Sequence, residues 1–591
     1  MKKSTLLLFA IMMASFVATA TNMTGTYKVG SAAGANFALL SSAIDSINAA
    51  TITGDVVLEI TSDITEPTNF GLAKDMGTYK LTIRPDADAD RTITFTQSTA
   101  NVGPYGHFVI GCATGNIGAA LTDATVIATN NVTIDGYAVG GKTRRLSLAA
   151  PNAALAGSVL VNVLGGCANT TIKNCILNDQ SSTAAKCIYI NQFKGTTADV
   201  SPANITIDNN IITANNPLIS GYGVQCSRSG TATSKITGLL ITNNLVTASA
   251  YCIEVNYSNG ATISGNEIKL QKGTMTGAGY ALWIKGVLGD MNVVGNKFTE
   301  VSSQQTNAAT IQNFAIFTGA SSANPYNLNI FNNTFSGMKR TAAGPTALNQ
   351  AYIAEIGYGT TKIYHNTFYL PALALPSQAG AYNAISFTTT KFVADVQNNI
   401  FISDEDAKSV LIAKAITTGP VDNNIYYLRA GNTNARIVDT YATLAAFQAA
   451  NTALDVNSKS VDVNFVDAAA GDLNITGASI KDGNLAVPRL SSVLTDMVGN
   501  TRSATTYAGA YEGPLPFNPV ALDQALTELG FQIRSTASGL EVKLNRQTTV
   551  ELYTVNGILL DKSIANGSYS HSLNKGVYIV RLNGKAVKFV K

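Results

Sequence analysis

The chain has 591 residues; 13% are charged, and 40 Lys and Arg against 37 Asp and Glu give a formal net charge of +3. Such a length exceeds what one compact core supports, so we expect several domains or an elongated repeat. The balanced, dispersed charge excludes the basic surface of a nucleic-acid-binding protein, and nucleic acid is not an expected partner.

The first twenty residues have the pattern of a secretory signal peptide. Lys2 and Lys3 precede an apolar run at 6–13, and Ala18-Thr19-Ala20 matches a small-x-small cleavage site. We therefore predict that residues 1–20 are removed and that the mature chain is exported. No other stretch reaches the roughly 18 to 20 apolar residues of a membrane-spanning helix, so no transmembrane segment is expected.

A short helix is predicted next, within "NFALLSSAIDSIN" (36–48). Asn36 is placed to act as its N-cap, and Leu39, Leu40, Ala43, Ile44 and Ile47 would form its apolar stripe.

The phrase apolar-x-Asn/Gly/His-Asn-x-apolar, as in "IFNNTF" (330–335), then recurs along the chain. Its second Asn falls at Asn210, Asn244, Asn266, Asn296, Asn333, Asn366, Asn399 and Asn424, 22 to 37 residues apart. A constant phrase with variable spacing predicts a solenoid whose coils share strands and corners while loops differ in length. Asn pairs tolerate the left-handed conformation of a tight corner, and we expect their amides to stack from coil to coil.

A second strand column lies between the Asn phrases, at "CIYI" (187–190), "GVQC" (223–226), "CIEV" (252–255), "ALWI" (281–284) and "AIFT" (315–318). Alternation along a strand predicts two inward rows. The first row is Ile188, Val224, Ile253, Leu282 and Ile316, and the second is Ile190, Cys226, Val255 and Ile284.

These features together resemble the right-handed parallel β-helix family, which includes pectate lyases and polygalacturonases. The resemblance covers roughly residues 22–512 and implies an all-β solenoid domain at 21–512, with the early helix capping the first coil. "DMVGNTR" (496–502) and "GAYE" (509–512) are similar to the closing segment of bacterial β-helix proteins. Asp496, Arg502 and Glu512 are expected to tie the last coil together by charge pairing.

The six Cys residues are predicted to be buried free thiols. Cys187 and Cys252 share a column with the Gly223 coil between them, so their Cα atoms should be roughly 9 to 10 Å apart. A disulfide requires less than about 7 Å. Cys226 is expected to face the other way, into the core, and the redox state of Cys167 and Cys175 is left open.

The outward face of the second column is our candidate binding site. One row holds Tyr189, Gln225, Glu254, Trp283 and Phe317, and beside it lie Asn191, Ser227, Asn256 and Lys285. Aromatic rings next to a carboxylate, amides and a Lys could hold a sugar chain. The alternative is that loops or another sheet cover the row, so that these aromatic residues only pack.

Catalytic residues are not identified by the sequence. The three His residues (107, 365 and 571) are interpreted as structural or surface residues, and Asp208 and Asp395 lie in different coils. "SDEDAK" (403–408) is interpreted as a solvated turn rather than a calcium site, and "KTRR" (142–145) as a solvated loop. No metal or cofactor is expected, and whether the protein is an enzyme is left open.

The C-terminal residues change in character after a Pro-rich linker at 513–519. Short strands with Asn556-Gly557 and Asn583-Gly584 turns predict a small antiparallel sandwich at 520–591. "VELYTVNGILL" (550–560), "LNKGVYIVRLNG" (573–584) and "KAVKFVK" (585–591) resemble the C-terminal sorting domain of Bacteroidetes type IX secretion substrates. By resemblance, Gly557, Gly576, Tyr578 and Lys588 occupy the motif's turn, strand and terminal basic positions; a plain accessory sandwich is the alternative.

Three functions fit these patterns. The first is an exported surface protein, expected to be a monomer, that binds or displays toward glycans and depends on the type IX secretion machinery. The second is a polysaccharide lyase or glycoside hydrolase on the same fold, and the third is a structural adhesion spacer. Fold alone does not decide among them.

Overall fold

A computed structural model describes residues 22–97, 106–118, 122–151, 158–181, 185–194, 199–228, 234–274, 277–303, 310–319, 326–340, 347–355, 359–372, 379–387, 392–405, 409–413, 419–429, 435–517, 531–536 and 538–591. The expected signal peptide lies outside these residues. The chain forms a parallel β-helix in which each coil contributes one strand to each of three sheets, A, B and C. The predicted all-β solenoid is therefore confirmed.

The strands of the three sheets follow one another in chain order. Sheet A contains Asn22–Val29, Thr51–Ile60, Leu81–Pro85, Asn130–Asp135, Ala168–Lys173, Ala203–Asp208, Ile236–Thr242, Ser258–Ser264, Leu288–Val294, Tyr326–Phe331, Gly359–Tyr364, Phe392–Gln397 and Val421–Asp422. Sheet B contains Ile64–Glu66, Arg91–Phe95, Leu146–Ala150, Ile176–Asp179, Ile211–Ala214, Leu245–Ala248, Glu267–Lys272, Lys297–Ser303, Thr334–Phe335, Met338–Arg340, Thr367–Leu370, Ile400–Ser403 and Ile425–Leu428. Sheet C contains Phe70–Leu72, Phe108–Ile110, Ser158–Leu164, Ala185–Lys194, Asp199–Val200, Tyr222–Arg228, Tyr251–Asn256, Gly279–Lys285, Thr310–Gly319, Ala347–Glu355, Ala379–Phe387, Ser409–Ala413 and Arg436–Val438.

The Asn phrase forms the corner between sheets A and B. In each copy two residues connect the strands; the first has a positive φ, such as 56° at Asn332 and 53° at His365. The second is a buried Asn whose side chain bonds to its counterpart in the next coil, and this ladder runs from Asn210 to Asn424. The variable first position is explained by φ, because Asn, Gly and His tolerate the left-handed region better than most residues.

The interior matches the two predicted inward rows, and all nine residues are 0 to 1% exposed. All six Cys residues are buried free thiols. The expectation that Cys226 faces the other way from Cys187 and Cys252 is wrong, because all three lie in the main core. The in–out alternation of side chains fails near the start of these strands, at the bend from sheet B into sheet C. Two consecutive residues point inward there, Cys187 with Ile188 and Cys252 with Ile253.

Two helices close the ends of the core. The first, Leu40–Ala49, buries Leu40, Ala43, Ile44 and Ile47 as predicted. Its predicted N-cap is wrong: Asn36 accepts from the backbone of Lys28. Glu66 Oε1 instead accepts from the backbone N–H groups of Leu40 and Ser41 at 2.7 and 3.2 Å. The second helix, Leu444–Ala450, buries Leu444 and Phe447 in the same core.

Residues 485–512, here called the closing segment, fold back along the A–B corner. The fully buried Arg502 bonds to Glu512 Oε2 at 3.2 Å and to Asn332 Oδ1 at 2.9 Å. Asn398 donates to the carbonyl of Pro488 at 2.7 Å. This charge pairing was expected to tie the last coil together, whereas the contacts of the segment reach back to the corners at Asn332 and Asn398. The segment includes the antiparallel pair Ala486–Pro488 and Thr505–Tyr507; Phe465–Asp467 and Asp472–Ile475 pair just before it.

The C-terminal residues form the predicted antiparallel sandwich. One sheet contains Phe531–Ser535, Gly539–Leu544 and Ser568–Ser572, and the other contains Thr548–Thr554, Leu559–Ala565, Val577–Leu582 and Lys585–Val590. The two sheets share one hydrophobic core. Asn583 and Gly584 both have positive φ in their hairpin, while only Gly557 does in the other. Among the described residues, no helix has the length and apolar character to span a membrane.

Candidate functional site

Variation between coils is concentrated at the two edges of sheet C. The A–B connections that carry the Asn phrase are all two residues long. The connections from sheet C to sheet A range from one residue, at Tyr257, to nineteen, at 111–129, and those from sheet B to sheet C reach twelve, at 96–107. Connecting segments of variable length carry function more often than regular corners do. Sheet C is therefore the face on which to look for a site.

The predicted outward row lies in register on sheet C. Gln225 is paired with Tyr189 on one neighbouring strand and with Glu254 on the other. Trp283 is paired with Glu254 and with Phe317. Lys285 lies opposite Asn256 in the adjacent row. The structure thus brings all six candidate residues together on one face across five coils.

This face is half-buried rather than an open ledge. Tyr189 is 7% and Glu254 is 4% exposed, while Gln225, Trp283, Lys285 and Phe317 are half-buried. The alternative raised by the sequence, that packing covers the row, therefore applies to Tyr189 and Glu254. The other four residues remain partly accessible.

A second aromatic column, not predicted from the sequence, lies on the same face. Tyr222, Tyr251, Tyr280 and Phe314 occupy equivalent positions on successive strands. A small buried residue follows each of them, namely Gly223, Cys252, Ala281 and Ala315. The aromatic-small pair that opens each strand was the available signal, because the small residue turns inward at the bend and leaves the aromatic ring outside.

The two columns merge into an aromatic ladder, defined as Tyr222, Tyr251, Tyr280, Trp283, Phe314 and Phe317. Ring centroids are 4.7 Å apart for Tyr222 and Tyr251, and 5.3 Å apart for Tyr251 and Trp283. Tyr280 stacks on Phe317 at 4.5 Å. Because the ring faces contact one another, the partly exposed side of the ladder presents ring edges and tyrosine hydroxyls.

Charged groups surround this ladder. Gln225 Nε2 donates to Glu254 Oε2 at 2.7 Å, and Lys285 Nζ lies 4.0 Å from the centroid of the Trp283 ring. Lys186 Nζ lies 5.3 Å from the Tyr189 centroid. Burial raises the pKa of Glu254, although the Gln225 hydrogen bond and the charge of Lys285 oppose the shift. Burial also raises the pKa of Tyr280 to about 12, so its hydroxyl remains protonated at neutral pH.

Several buried polar atoms on or beside this face have no hydrogen-bond partner within the described part of the chain. They are Trp283 Nε1, Asn191 Oδ1, Asn256 Oδ1 and Gln192 Oε1. Most buried polar groups in proteins are paired, and leaving one unpaired costs about 1 to 3 kcal/mol. In the A–B corner, by contrast, each ladder amide from Asn210 to Asn399 both donates to and accepts from other groups. These four buried atoms, one donor and three acceptors, therefore lie on or beside the outer face of sheet C without a partner among the described residues.

The remaining candidates do not form a second site in the described ranges. His107 is buried between Asn69 and Ser158, at 2.9 and 2.8 Å, and burial lowers its pKa to about 3. Asp404, from the loop at 403–408, bonds to Tyr369 and Arg429, and residues 406–408 lie outside the described residues. Among the residues that the structure describes, no group of three or more His, Cys, Asp or Glu side chains is arranged to hold a metal ion.

The sorting-signal candidates lie in one sheet of the sandwich. Gly557 forms a hairpin turn with φ of 81°, and Lys588 is exposed opposite Ile579. A methyl group on Gly576 would lie 3.4 Å from the Tyr578 ring, so Gly576 lies beside that ring.

Comparison with known proteins gave structural similarity only. No family model and no curated protein sequence matches the chain. A structure described as XylC in complex with xylose is 10% identical with a TM-score of 0.37, covering 84% of this chain and 99% of the other. The surface protein and adhesin PfbA of Streptococcus pneumoniae is 11% identical with a TM-score of 0.26, covering 68% and 94% of the two chains.

Proposed function

We propose that the protein is an exported surface β-helix protein that binds an extended glycan on the outer face of sheet C. The observation that carries this proposal is the set of unpaired buried polar atoms beside the aromatic ladder. Sugar hydroxyls both donate and accept hydrogen bonds, so they can pair with the Trp283 indole N–H and with the amide oxygens of Asn191 and Asn256. Ring edges of the ladder would pack against the apolar C–H groups of the sugars.

The geometry also suits a chain-like ligand. The ladder continues through four successive coils, from Tyr222 to Phe314, with one outward ring of that column per coil. A polymer lying along the solenoid axis would therefore meet similar groups at each coil spacing of about 4.8 Å. Repeated weak contacts of this kind favour a polymer over a single sugar.

A lyase or hydrolase remains the second candidate, because Glu254 is a buried carboxyl in this site with a raised pKa. Such a shift is typical of a general acid. Binding without cleavage and binding with cleavage are distinguished by the products, so the experiment must record both. A purely structural spacer would bind nothing at all.

The proposal is tested by retention on immobilised xylan, mannan, pectin and alginate, with assays for new reducing and unsaturated ends. We expect retention on at least one polysaccharide and a loss of tenfold or more in Trp283→Ala. Phe331→Ala is the matched control, because Phe331 stacks on Tyr364 at 5.1 Å on sheet A. Equal retention of both variants would mean that the glycan binds elsewhere on the protein. If the wild type is not retained on any of the four polysaccharides, the structural spacer is the remaining hypothesis.

For export, we propose that residues 1–20 are a signal peptide, 21–512 the β-helix, 513–519 a linker and 520–591 a type IX sorting domain. The assignment is supported by the Gly557 turn, by the exposed Lys588 and by the position of Gly576 beside the Tyr578 ring. Deleting residues 520–591 should leave the protein in the periplasm of its native host. If the truncated protein still appears outside the cell at normal levels, the sandwich is an accessory module and not a sorting domain.

A further inference from the structure

Three polar side chains lie inside the solenoid where sheet B turns into sheet C. Lys272 is the last residue of its sheet B strand and is 1% exposed. Asn313 and Gln350 face each other on adjacent strands of sheet C, and both are 0% exposed. These three residues are called the interior corner below.

The interior corner is closely packed around Gly279. A methyl group on Gly279 would lie 2.8 Å from Asn313 Oδ1 and 3.2 Å from Lys272 Cδ, with Leu270 Cδ2 at 3.1 Å. The missing side chain of Gly279 therefore lets the amide of Asn313 and the aliphatic part of Lys272 approach the same point. Since the amino group is two bonds beyond Cδ, it can reach the amide.

The amide groups of this corner have no hydrogen-bond partners in the described ranges. Both amide atoms of Asn313 and both of Gln350 are unpaired. Burial alone lowers the pKa of Lys272 to about 8, with no contribution from a carboxylate. The side chain is therefore still mostly an ammonium ion at neutral pH. A buried charge without a counter-charge is strongly unfavourable.

We propose that Lys272, Asn313 and Gln350 bind a small inorganic anion of halide size inside the solenoid. The ammonium group supplies the counter-charge, and the NH₂ groups of Asn313 and Gln350 donate to the anion. The amide oxygens would then turn toward the ammonium group, which has three donors. Water could pair with the amides, but it supplies no charge. The bound anion would link three successive coils.

The experiment compares thermal unfolding of the full chain in bromide and in gluconate at constant ionic strength. Raising bromide from 1 to 100 mM should raise the wild-type Tm by about 2 to 4 °C, because a ligand that binds only the folded state stabilises it. Lys272→Met should lose this dependence. Lys297→Met, which changes an exposed Lys on the next sheet B strand, should retain it.

Anomalous diffraction from bromide-soaked crystals of the wild type gives a second measurement that needs no variant. A bromide peak within hydrogen-bond distance of Lys272 supports the proposal. It is overturned if wild-type unfolding is independent of the anion. It is also overturned if Lys272→Met keeps the same bromide dependence, or if peaks occur only at the protein surface, which would indicate an adventitious ion only.

Discussion

Asn366 Oδ1 accepts two hydrogen bonds from Asn333, one from its backbone N–H at 2.8 Å and one from its side chain at 3.0 Å. Asn333 accepts the same pair from Asn296. Each amide therefore satisfies the backbone and the side chain of the preceding corner. Because the Asn residues of this ladder are buried, water cannot replace a missing amide at a single position.

Replacing Asn333 by Ala should be strongly destabilising. It leaves the Asn296 donors and the Val293 carbonyl without their partner, at about 1 to 3 kcal/mol for each unpaired group. Urea denaturation should show a loss of about 3 kcal/mol in the free energy of unfolding. The control is Asn329→Ala, since Asn329 donates to Asn292 at 2.9 Å on the half-buried outer face of sheet A. Equal losses in both variants would contradict the special role of the corner.

Arg502→Met should release the closing segment. The guanidinium group is fully buried, and its removal leaves the Glu512 carboxylate without its counter-charge and Asn332 Oδ1 without its donor. Breaking a buried pair in this way costs about 3 to 5 kcal/mol. Limited proteolysis should then cut within residues 485–512. Arg145→Met is the control, because it removes only exposed ion pairs with Asp88 and Asp90 and should leave stability nearly unchanged. If residues 485–512 stay protected from the protease in both variants, Arg502 does not hold the closing segment in place.

His107 should make stability depend on pH below neutrality. Its pKa is about 3 in the folded protein and 6.5 in the unfolded chain, because burial disfavours the charged ring. The unfolded state therefore binds an additional proton between these values, so stability falls as the pH is lowered from 6.5 toward 3. The slope from this residue is about 1.4 kcal/mol per pH unit. His107→Gln should lose that slope between pH 4 and 6, and an unchanged profile would contradict the assignment.

The cysteines should be unreactive until the protein unfolds. All six are buried and free, and burial raises the pKa of each thiol, to about 11 for Cys112 and to about 12 for Cys167. Thiolate is the reactive form, so a maleimide should label none of them in the native protein. Denaturation without a reductant should then give six labels by mass spectrometry. Fewer than six would reveal a disulfide, with Cys167 and Cys175 the first pair to map.

Sequence periodicity predicted those parts of the fold in which the conformation of a residue depends mainly on its neighbours in the chain. The Asn phrase predicted the A–B corner because the positive φ is a local requirement and because the same phrase recurs in successive coils, where the amides can stack. The inward rows followed from alternation alone. The helix cap could not be predicted from periodicity. The backbone N–H of Leu40 is capped by Glu66, which belongs to a sheet B strand that follows the helix in the chain.

The candidate site was only partly predictable for a related reason. Alternation of side chains correctly placed Trp283 and Glu254 on the outer face. It predicts the side-chain direction correctly only where the strand has no bend at its start. The bend at Cys252 and Ala281 reverses the alternation, so Tyr251 and Tyr280 were missed. Burial of Glu254 depends on neighbouring coils, and no local pattern encodes it.

The central claim is that a glycan binds on the outer face of sheet C, and Trp283 is the only tryptophan of the chain. Its intrinsic fluorescence therefore reports on that face alone. Titration with a polysaccharide that the protein retains should shift Trp283 emission saturably, with the same midpoint as retention, and Glu254→Gln should move both midpoints together. Retention of the polysaccharide with unchanged Trp283 emission would contradict the account, because the ligand would then bind away from the aromatic ladder.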